Sequence, residues 1–311
     1  MARYLLLRVA QSLLTVFLIV STVFVLVRLA PGDPAAAIGG PTATSADLRA
    51  IREELGLVGS LPYQYWQFLT GLVQGDLGLS YSFQQPALQV VLERLPYTST
   101  LAGTAILLTA LIAVPLGILT ARRANSGIDI GANIGTIAAQ SMPEFWTGIM
   151  LLTLLAVVVP VFPASGFTTW SGLALPAVTI ALLQIALISR LVHREMAGNL
   201  AAPYVTVARS RGVGETALTW RYAFANSSIP VLTALGTRFA AMLNGVVVVE
   251  VVFAWPGIGS LVVRALETRD YPLIQATVLV TSLLAIGVQL LVDLLYPLFD
   301  PRVRVGKAVS R

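Results

Sequence analysis

Long uncharged apolar runs alternate with short polar segments along this chain. Val9 to Val27 has no charge between Arg8 and Arg28, and Leu95 to Ala121 has none between Arg94 and Arg122. Ile130 to about Val159 is apolar apart from Glu144, and the next charge is Arg190, too distant for one helix. Pro160, Pro163, Gly166 and Trp170 mark a turn, so a further run extends from about Leu173 to Leu191. Two more follow, from about Ser228 to Phe253 and from about Leu273 to Tyr296. A helix needs roughly 20 apolar residues to cross a bilayer. The pattern therefore predicts an all-α integral membrane fold with six transmembrane helices.

The polar segments set the rest of the organisation. Residues 1–30 form the first transmembrane helix. Its apolar run exceeds the roughly 7–15 residues of a signal-peptide core, so it reads as retained. Residues 31–94 are the one sizeable outer segment, a small subdomain between helices 1 and 2. Ser45 is placed to cap a helix there, Asp47 favours its first turn and Gly56 its end. The segment reads either as a packed cap over the bundle or as a loop with a ligand role. Residues 95–297 hold the remaining runs and a polar loop, 193–226, and residues 298–311 are a basic tail. Gly131 and Gly135 have the small-residue spacing of packed membrane helices.

Composition sharpens this picture. The chain is 56% hydrophobic and 11% charged, against about 25% charged in soluble domains. Lipid must therefore be the solvent for much of its surface. The net charge is +5, with Lys307 the single lysine among 20 basic residues. In an apolar chain, arginines held at a cytoplasmic membrane face explain this better than nucleic acid does. Arg122, Arg123, Arg190, Arg194, Arg209, Arg211, Arg221 and the tail share a side with Arg3 and Arg8. They outnumber Arg28, Arg49, Arg52, Arg94, Arg264 and Arg269 on the other side, which predicts both termini in the cytoplasm. The chain has no cysteine, which excludes a disulfide, a thiolate metal site and a cysteine nucleophile.

The polar loop carries the most local information. Pro203 to Arg211 has the punctuation of a short helix, with proline at its first position and Gly212 just past its end. Leu200, Tyr204, Val207 and Ala208 fall near one face at helical spacing. Arg209 and Arg211 sit near the C-terminal end, where cations complement the helix dipole. So short a helix is marginal alone in water. It needs tertiary support or a partner's groove, or it lies on the headgroups with its arginines on anionic lipid.

Glu195, then Pro203-Tyr-Val-Thr-Val-Ala-Arg-Ser-Arg-Gly212, then Tyr222-Ala-Phe-Ala-Asn-Ser-Ser-Ile-Pro230 resemble the cytoplasmic EAA loop of binding-protein-dependent ABC transporter permeases. The chain is most similar to the dipeptide/oligopeptide subfamily. Further matching motifs run in order along it: Arg28-Leu-Ala-Pro-Gly-Asp-Pro34, Gly75-Asp-Leu-Gly78, Arg94-Leu-Pro96, Val248-Val-Glu-Val-Val-Phe-Ala-Trp-Pro-Gly-Ile-Gly259, Arg269-Asp-Tyr-Pro272, Asp293-Leu-Leu-Tyr296 and Asp300-Pro-Arg-Val-Arg304. They look like those of the first of two permease subunits. The resemblance implies a type I importer permease in a bacterial inner membrane, moving di- or oligopeptides, with a nickel chelate or other small solute as the alternative cargo. It implies a second homologous permease, two cytoplasmic ATPases and an external substrate-binding protein as partners. It also implies no catalytic or metal-binding residue and no cofactor on this chain, with ATP and Mg on the ATPases. The coupling residues it assigns are Glu195, Ala197, Tyr204, Val205, Ala208, Arg209, Arg211 and Gly212. Pro203 departs from the family's acidic residue and Arg211 from its lysine, while Arg238 stands where glutamine is usual.

Gln140, Glu144, Gln184, Arg238 and Asn244 are polar positions within apolar runs and are candidates for a translocation path. Interhelical hydrogen bonding is the other reading for Gln140, Gln184 and Asn244. Arg238 either attracts a substrate carboxylate or pairs with Glu144, and pairing is the commoner fate of a buried charge. Glu250 falls near the outer face and needs no special role. An autonomous secondary carrier would show repeat symmetry and several intramembrane carboxylates. An intramembrane enzyme would show more than the lone His193. Gly306-Lys307 lacks the glycine and Ser/Thr of a phosphate-binding loop, so ATP hydrolysis must lie on other subunits.

Overall fold

A computed structural model describes residues 2–29, 33–39, 43–54, 57–166 and 170–299. Gly56 and most of the basic tail, 300–311, lie outside them. The described chain is helical, with one isolated bridge between Leu79 and Pro86. In order the helices are α1 (Ala2–Leu29), α2 (Pro34–Gly39), α3 (Ser45–Glu54), α4 (Leu61–Gln74), α5 (Ala87–Arg122), α6 (Gly127–Ser141), α7 (Glu144–Leu152), α8 (Ala174–Leu200), α9 (Pro203–Ser210), α10 (Glu215–Ala217), α11 (Ala225–Gly245), α12 (Val247–Val252), α13 (Ile258–Glu267) and α14 (Tyr271–Phe299). Thr153–Val158 and Leu218–Phe224 continue α7 and α10 as π-helical turns, and a 3-10 turn, Trp170–Leu173, leads into α8.

Four stretches are long and apolar enough to cross a membrane: Leu7–Leu29, Ala87–Arg122, Trp170–Leu200 and Tyr271–Leu291. A fifth is added if the pair Gly127–Ser141 and Glu144–Val158 counts as one span, although it bends by 98°. The expected single helix from Ile130 to Val159 is therefore broken. Pro143 is the cause. It pushes Met142 into extended backbone at ψ 128 and restarts the helix behind it. The expected run from Ser228 to Phe253 is also divided, at Val246, into α11 and α12. Asn226, Ser227, Ser228, Thr233, Thr237 and Arg238 leave α11 less apolar than the four clear spans.

The chain forms two compact units. One comprises Met1–Thr98 with Pro256–Ile286, so the 31–94 segment shares its unit with α1, α13 and the start of α14. Val16 and Val20 of α1, Val90 and Val91 of α5, Leu261 of α13 and Leu273 of α14 meet in one core. Phe24 of α1 stacks edge-on against Tyr65 of α4, with ring centroids 5.0 Å apart. The cap of α3 is Thr44, one residue before the expected Ser45. Thr44 N donates to Asp47 Oδ2 at 2.9 Å, and Asp47 N donates back to Thr44 Oγ1 at 3.3 Å. Asp270 is fully buried, accepting from Ser80 Oγ (2.6 Å), Ser82 N (2.9 Å) and Leu273 N (3.2 Å).

The second unit comprises Ser99–Trp255 with Gly287–Arg311 and is organised around α8, which touches α6, α7, α9, α11 and α12. Its core joins Ala113 and Ile118 of α5, Ile188, Val192 and Met196 of α8, and Val231 of α11. Gly117 lets α5 approach α8 closely, since a Cβ there would lie 2.6 Å from the Ser189 carbonyl oxygen and 2.6 Å from Val192 Cβ. Gly131 and Gly135, the glycines singled out by spacing, face open space instead. Glu250 is fully buried within this unit. His193 Nδ1 lies 3.0 Å from Thr120 Oγ1 and 3.5 Å from Asp129 Oδ1. This polar contact joins α5, α6 and α8.

Candidate functional site

The loop between α8 and α11 is a small folded body with its own core. Pro203 opens α9 at the first helical position, where the missing N–H costs nothing. Gly212, at φ +81, closes it. Gly212 N donates to Arg209 O at 3.0 Å and Val213 N to Ala208 O at 3.2 Å, the paired bonds of a Schellman cap. Val205 and Ala208 are buried against Leu218, with Val213 and Tyr222 packed alongside. The buried face is thus Val205 and Ala208. Of the face expected from apolar spacing, Ala208 is buried, whereas Tyr204 is 40% exposed and Val207 49% exposed.

Polar contacts fix this body to the ends of the long helices. The Tyr204 hydroxyl donates to Asn199 Oδ1 at 2.8 Å and accepts from Asn226 Nδ2 at 3.1 Å. Asn199 Nδ2 reaches the Glu195 carbonyl at 3.0 Å and Ser227 Oγ at 2.9 Å, so α8, α9 and α11 meet at one node. Arg209 Nε donates to Glu215 Oε1 at 2.8 Å, tying α9 to α10. That bond holds the Glu215 carboxyl below the usual carboxylate range and the Arg209 guanidinium above its own. Glu195 is held by Arg194 at 3.2 Å, and Ala197 packs on the α8 core. Arg211 is exposed at the end of α9.

Six of the eight predicted residues, Tyr204, Val205, Ala208, Arg209, Arg211 and Gly212, lie in this body, and Glu195 and Ala197 lie on the end of α8 that leads into it. Sequence reasoning missed Asn199, Asn226 and Glu215, which hold it, and Trp220, which is 51% exposed beside Phe224. The i, i+5 spacing of Asn199 and Tyr204 and the i, i+6 spacing of Arg209 and Glu215 belong to no regular element. Only the folded turn makes them neighbours.

The five candidate path residues are distributed over four helices, with Arg238 and Asn244 sharing α11. Gln140 of α6 accepts a hydrogen bond from Arg190 of α8. Gln184 is half-buried on α8, and its Oε1 has no hydrogen-bond partner. Glu144 is half-buried in the first turn of α7, directly after Pro143, where a carboxylate complements the helix dipole. Arg238 is exposed on α11. Among the described residues no ion pair joins Arg238 to Glu144, so the expected pair is not formed. Asn244 lies on α11, but its side chain is outside the described residues.

Comparison with known proteins follows the same lines. Residues 113–305 match the family described as binding-protein-dependent transport system inner membrane component, and residues 1–102 match the N-terminal part of the membrane component of such systems. A probable peptide ABC transporter permease protein of Sinorhizobium fredii is 36% identical over 98% of this chain and 100% of its own length. A glutathione transport system permease protein of Pectobacterium atrosepticum is 35% identical over 98% of this chain and 99% of its own. A crystal structure of an amino acid ABC transporter with histidines superposes with a TM-score of 0.55. It covers 67% of this chain and 93% of the solved one at 15% identity, a likeness of fold alone.

Proposed function

The chain belongs to the binding-protein-dependent transport system inner membrane components, and from that premise we propose that it moves di- and oligopeptides through an ATP-driven importer. It is a multi-pass permease subunit and not the catalyst of ATP hydrolysis. Its partners in the proposed complex are a second homologous permease, two cytoplasmic ATPases that hold ATP and Mg, and an external substrate-binding protein. The membrane is the bacterial inner membrane, with both termini in the cytoplasm. Four clear spans, the bent α6–α7 pair and α11 make the six crossings.

The observation that carries this reading is the construction of the loop. Its inner face is closed by Val205, Ala208 and Leu218, its ends are tied to α8 and α11, and its outer face presents the Tyr204 ring, Val207 and Arg211. Such a body transmits force between a soluble partner and the membrane helices. Closing of the ATPase dimer pushes α9, and the helices that hold it switch the path between inward- and outward-facing states.

The test is purification from native membranes in mild detergent, comparing wild type with Gly212→Asp and with deletion of residues 203–212. A second permease and ATPase subunits should accompany the wild type, and stimulated ATPase activity should be lost in both variants. A chain that comes out alone and still moves peptide without ATP would overturn the proposal in favour of a secondary carrier.

A further inference from the structure

The last turn of α1 holds an arginine that the chain orients but does not neutralise. Arg28 lies at the end of the span Leu7–Leu29, so it stands at one surface of the membrane. Its Nε donates to Gln64 Oε1 of α4 at 2.8 Å. Gln64 is buried, and its Nε2 donates to the carbonyls of Leu57 (3.1 Å) and Gly59 (3.2 Å), which turns its oxygen toward the arginine. The guanidinium carbon sits 3.6 Å from the centroid of the Phe24 ring. A neutral amide and an aromatic face thus hold the guanidinium in place, and neither removes its charge.

Among the described residues no carboxylate does so either. Arg28 forms no ion pair there, and its Nη1 is buried without a hydrogen-bond partner. The groups that act on it electrostatically are the phenols of Tyr81 and Tyr271, a side chain that is uncharged near pH 7. The acids close by are engaged elsewhere. Asp33, five residues on, accepts from Arg52 Nε at 3.1 Å. Asp270 accepts from Ser80 and Ser82, on either side of Tyr81, and from Leu273. A guanidinium withdrawn from water without a counter-charge is costly. The arrangement calls for an oxyanion from outside the chain.

α4 indicates its source. This helix is pinned to about the last two turns of the α1 span. The Tyr65 and Ser21 hydroxyls are 2.6 Å apart, and the Phe24 ring lies 5.0 Å from Tyr65 and 5.3 Å from Phe68. Those bonds hold α4 at the membrane boundary. No charged residue occurs between Glu54 and Asp76, and Tyr63, Trp66 and Val73 of α4 are uncovered by the rest of the chain. Tryptophan and tyrosine favour the headgroup level, where an apolar ring with a polar tip is at home. Composition suits this face to lipid, and the bonds to Ser21, Phe24 and Arg28 keep it where lipid is.

We infer that Arg28 and α4 form a site for one phospholipid of the outer leaflet. Its phosphate is taken by the guanidinium nitrogens that Gln64 leaves free, and its glycerol and upper acyl chains lie along Tyr63, Trp66 and Val73. The ligand class is a phosphate-bearing lipid, and the site is separate from the cargo and from the loop that meets the ATPases.

The absence of cysteine allows a direct test in the purified complex. Gln67→Cys, on the exposed side of α4, carries a nitrobenzoxadiazole fluorophore, and the complex is placed in phosphatidylcholine nanodiscs. Two quenchers are compared at trace levels: phosphatidylglycerol and diacylglycerol, each with a nitroxide near the top of one acyl chain. The phosphatidylglycerol label should quench about tenfold more effectively, the worth of a hydrogen bond to a charged group. Arg28→Gln should abolish that preference, and Arg28→Lys should keep part of it, since the charge stays and the planar fork is lost. Equal quenching by the two labels in wild type, or a preference unchanged in Arg28→Gln, would overturn the inference. So would a fluorophore reached by aqueous iodide and by neither lipid, which means water or a soluble protein at α4. A fluorophore shielded from all three would assign the face, and the missing counter-charge, to a partner subunit, and would overturn it too. Loss of the preference on adding free glycerol phosphate would give the site to a soluble oxyanion instead. If Arg28→Gln does not assemble, the wild-type preference and its partial retention in Arg28→Lys decide the matter. No readout here depends on transport, so failure of this inference leaves the permease reading standing.

Discussion

Gly212 offers a test of whether the α9 body is held as the structure says. Its φ of +81 lies where a side chain is disfavoured, and a Cβ there meets nothing within 4 Å. Substitution by alanine therefore adds no clash. Its whole cost is backbone conformation, roughly 1–2 kcal/mol in the left-handed region. That energy is taken from the cap, whose bonds are Gly212 N to Arg209 O and Val213 N to Ala208 O. Where local opening is fast compared with chemical exchange, the Val213 amide in Gly212→Ala should exchange about 5–30-fold faster than in wild type. Gly212→Asn should recover much of the loss, because asparagine tolerates this conformation. Gly198 supplies the opposite sign. It is an exposed helical glycine of α8 that also has open space around its Cβ. Gly198→Ala should therefore stabilise its turn by about 0.5–1 kcal/mol and slow exchange at Ala201, whose amide is bonded to Ala197 O. The measurement is hydrogen exchange on the purified complex, read by mass spectrometry. Val213 exchange unchanged in Gly212→Ala, or Ala201 exchange accelerated in Gly198→Ala, would refute the reasoning.

Two further perturbations probe the two units separately. Gly117→Ala would place its Cβ 2.6 Å from the Ser189 backbone oxygen. Backbone cannot rotate away, so α5 and α8 must part, at about 1–3 kcal/mol; a thermal midpoint in detergent equal to wild type would show that the close approach is not required. Asp270→Ala would strand the Ser80 hydroxyl and the amides of Ser82 and Leu273 in a buried site. The expected cost is on the order of 3 kcal/mol, with Asp270→Asn intermediate because one oxygen remains to accept. Equal thermal midpoints for the two variants would argue against it.

The sequence was most readable where one physical effect acted alone. Val9 to Val27 and Leu95 to Ala121 are uninterrupted apolar runs, and both lie inside helices long enough to span. Residues 130–159 were harder, because an apolar run gives no sign of direction. The information lay in Met142-Pro143-Glu144, where the proline extends the residue before it and the acid belongs to the first turn of the next helix. The same observation moves Glu144 from the middle of a span to a helix start. In the loop, Pro203 and Gly212 gave the limits of α9 because both act through the local backbone. Its buried face was not legible. Apolar spacing favoured Tyr204 and Val207, but burial was decided by Leu218, which reaches α9 only after the chain has turned. The Gly131–Gly135 spacing misled for a related reason. A small residue marks close packing only when something is packed against it, as Ser189 and Val192 are against Gly117.

In the proposed importer, these positions bear on how a push on α9 would reach the membrane. A flexible loop would absorb the displacement in its own backbone. Here α9 is fixed at both ends and along one side: by the Gly212 cap, by Tyr204 on Asn199 and Asn226, and by Arg209 on Glu215. Asn199 belongs to α8 and Asn226 to α11, so a rigid displacement of α9 is delivered to both helices through one hydroxyl. α8 is the helix around which its unit is packed, and α11 is the helix that carries Arg238. Loss of the Tyr204 hydroxyl would leave the outward face of the loop intact while removing the joint between the two helices. An uncoupled complex, with ATPases still bound and substrate no longer moved, is therefore the signature of damage at this node. Loss of the ATPases is the expected signature of damage at Val207 or Arg211, on the exposed face proposed to dock them.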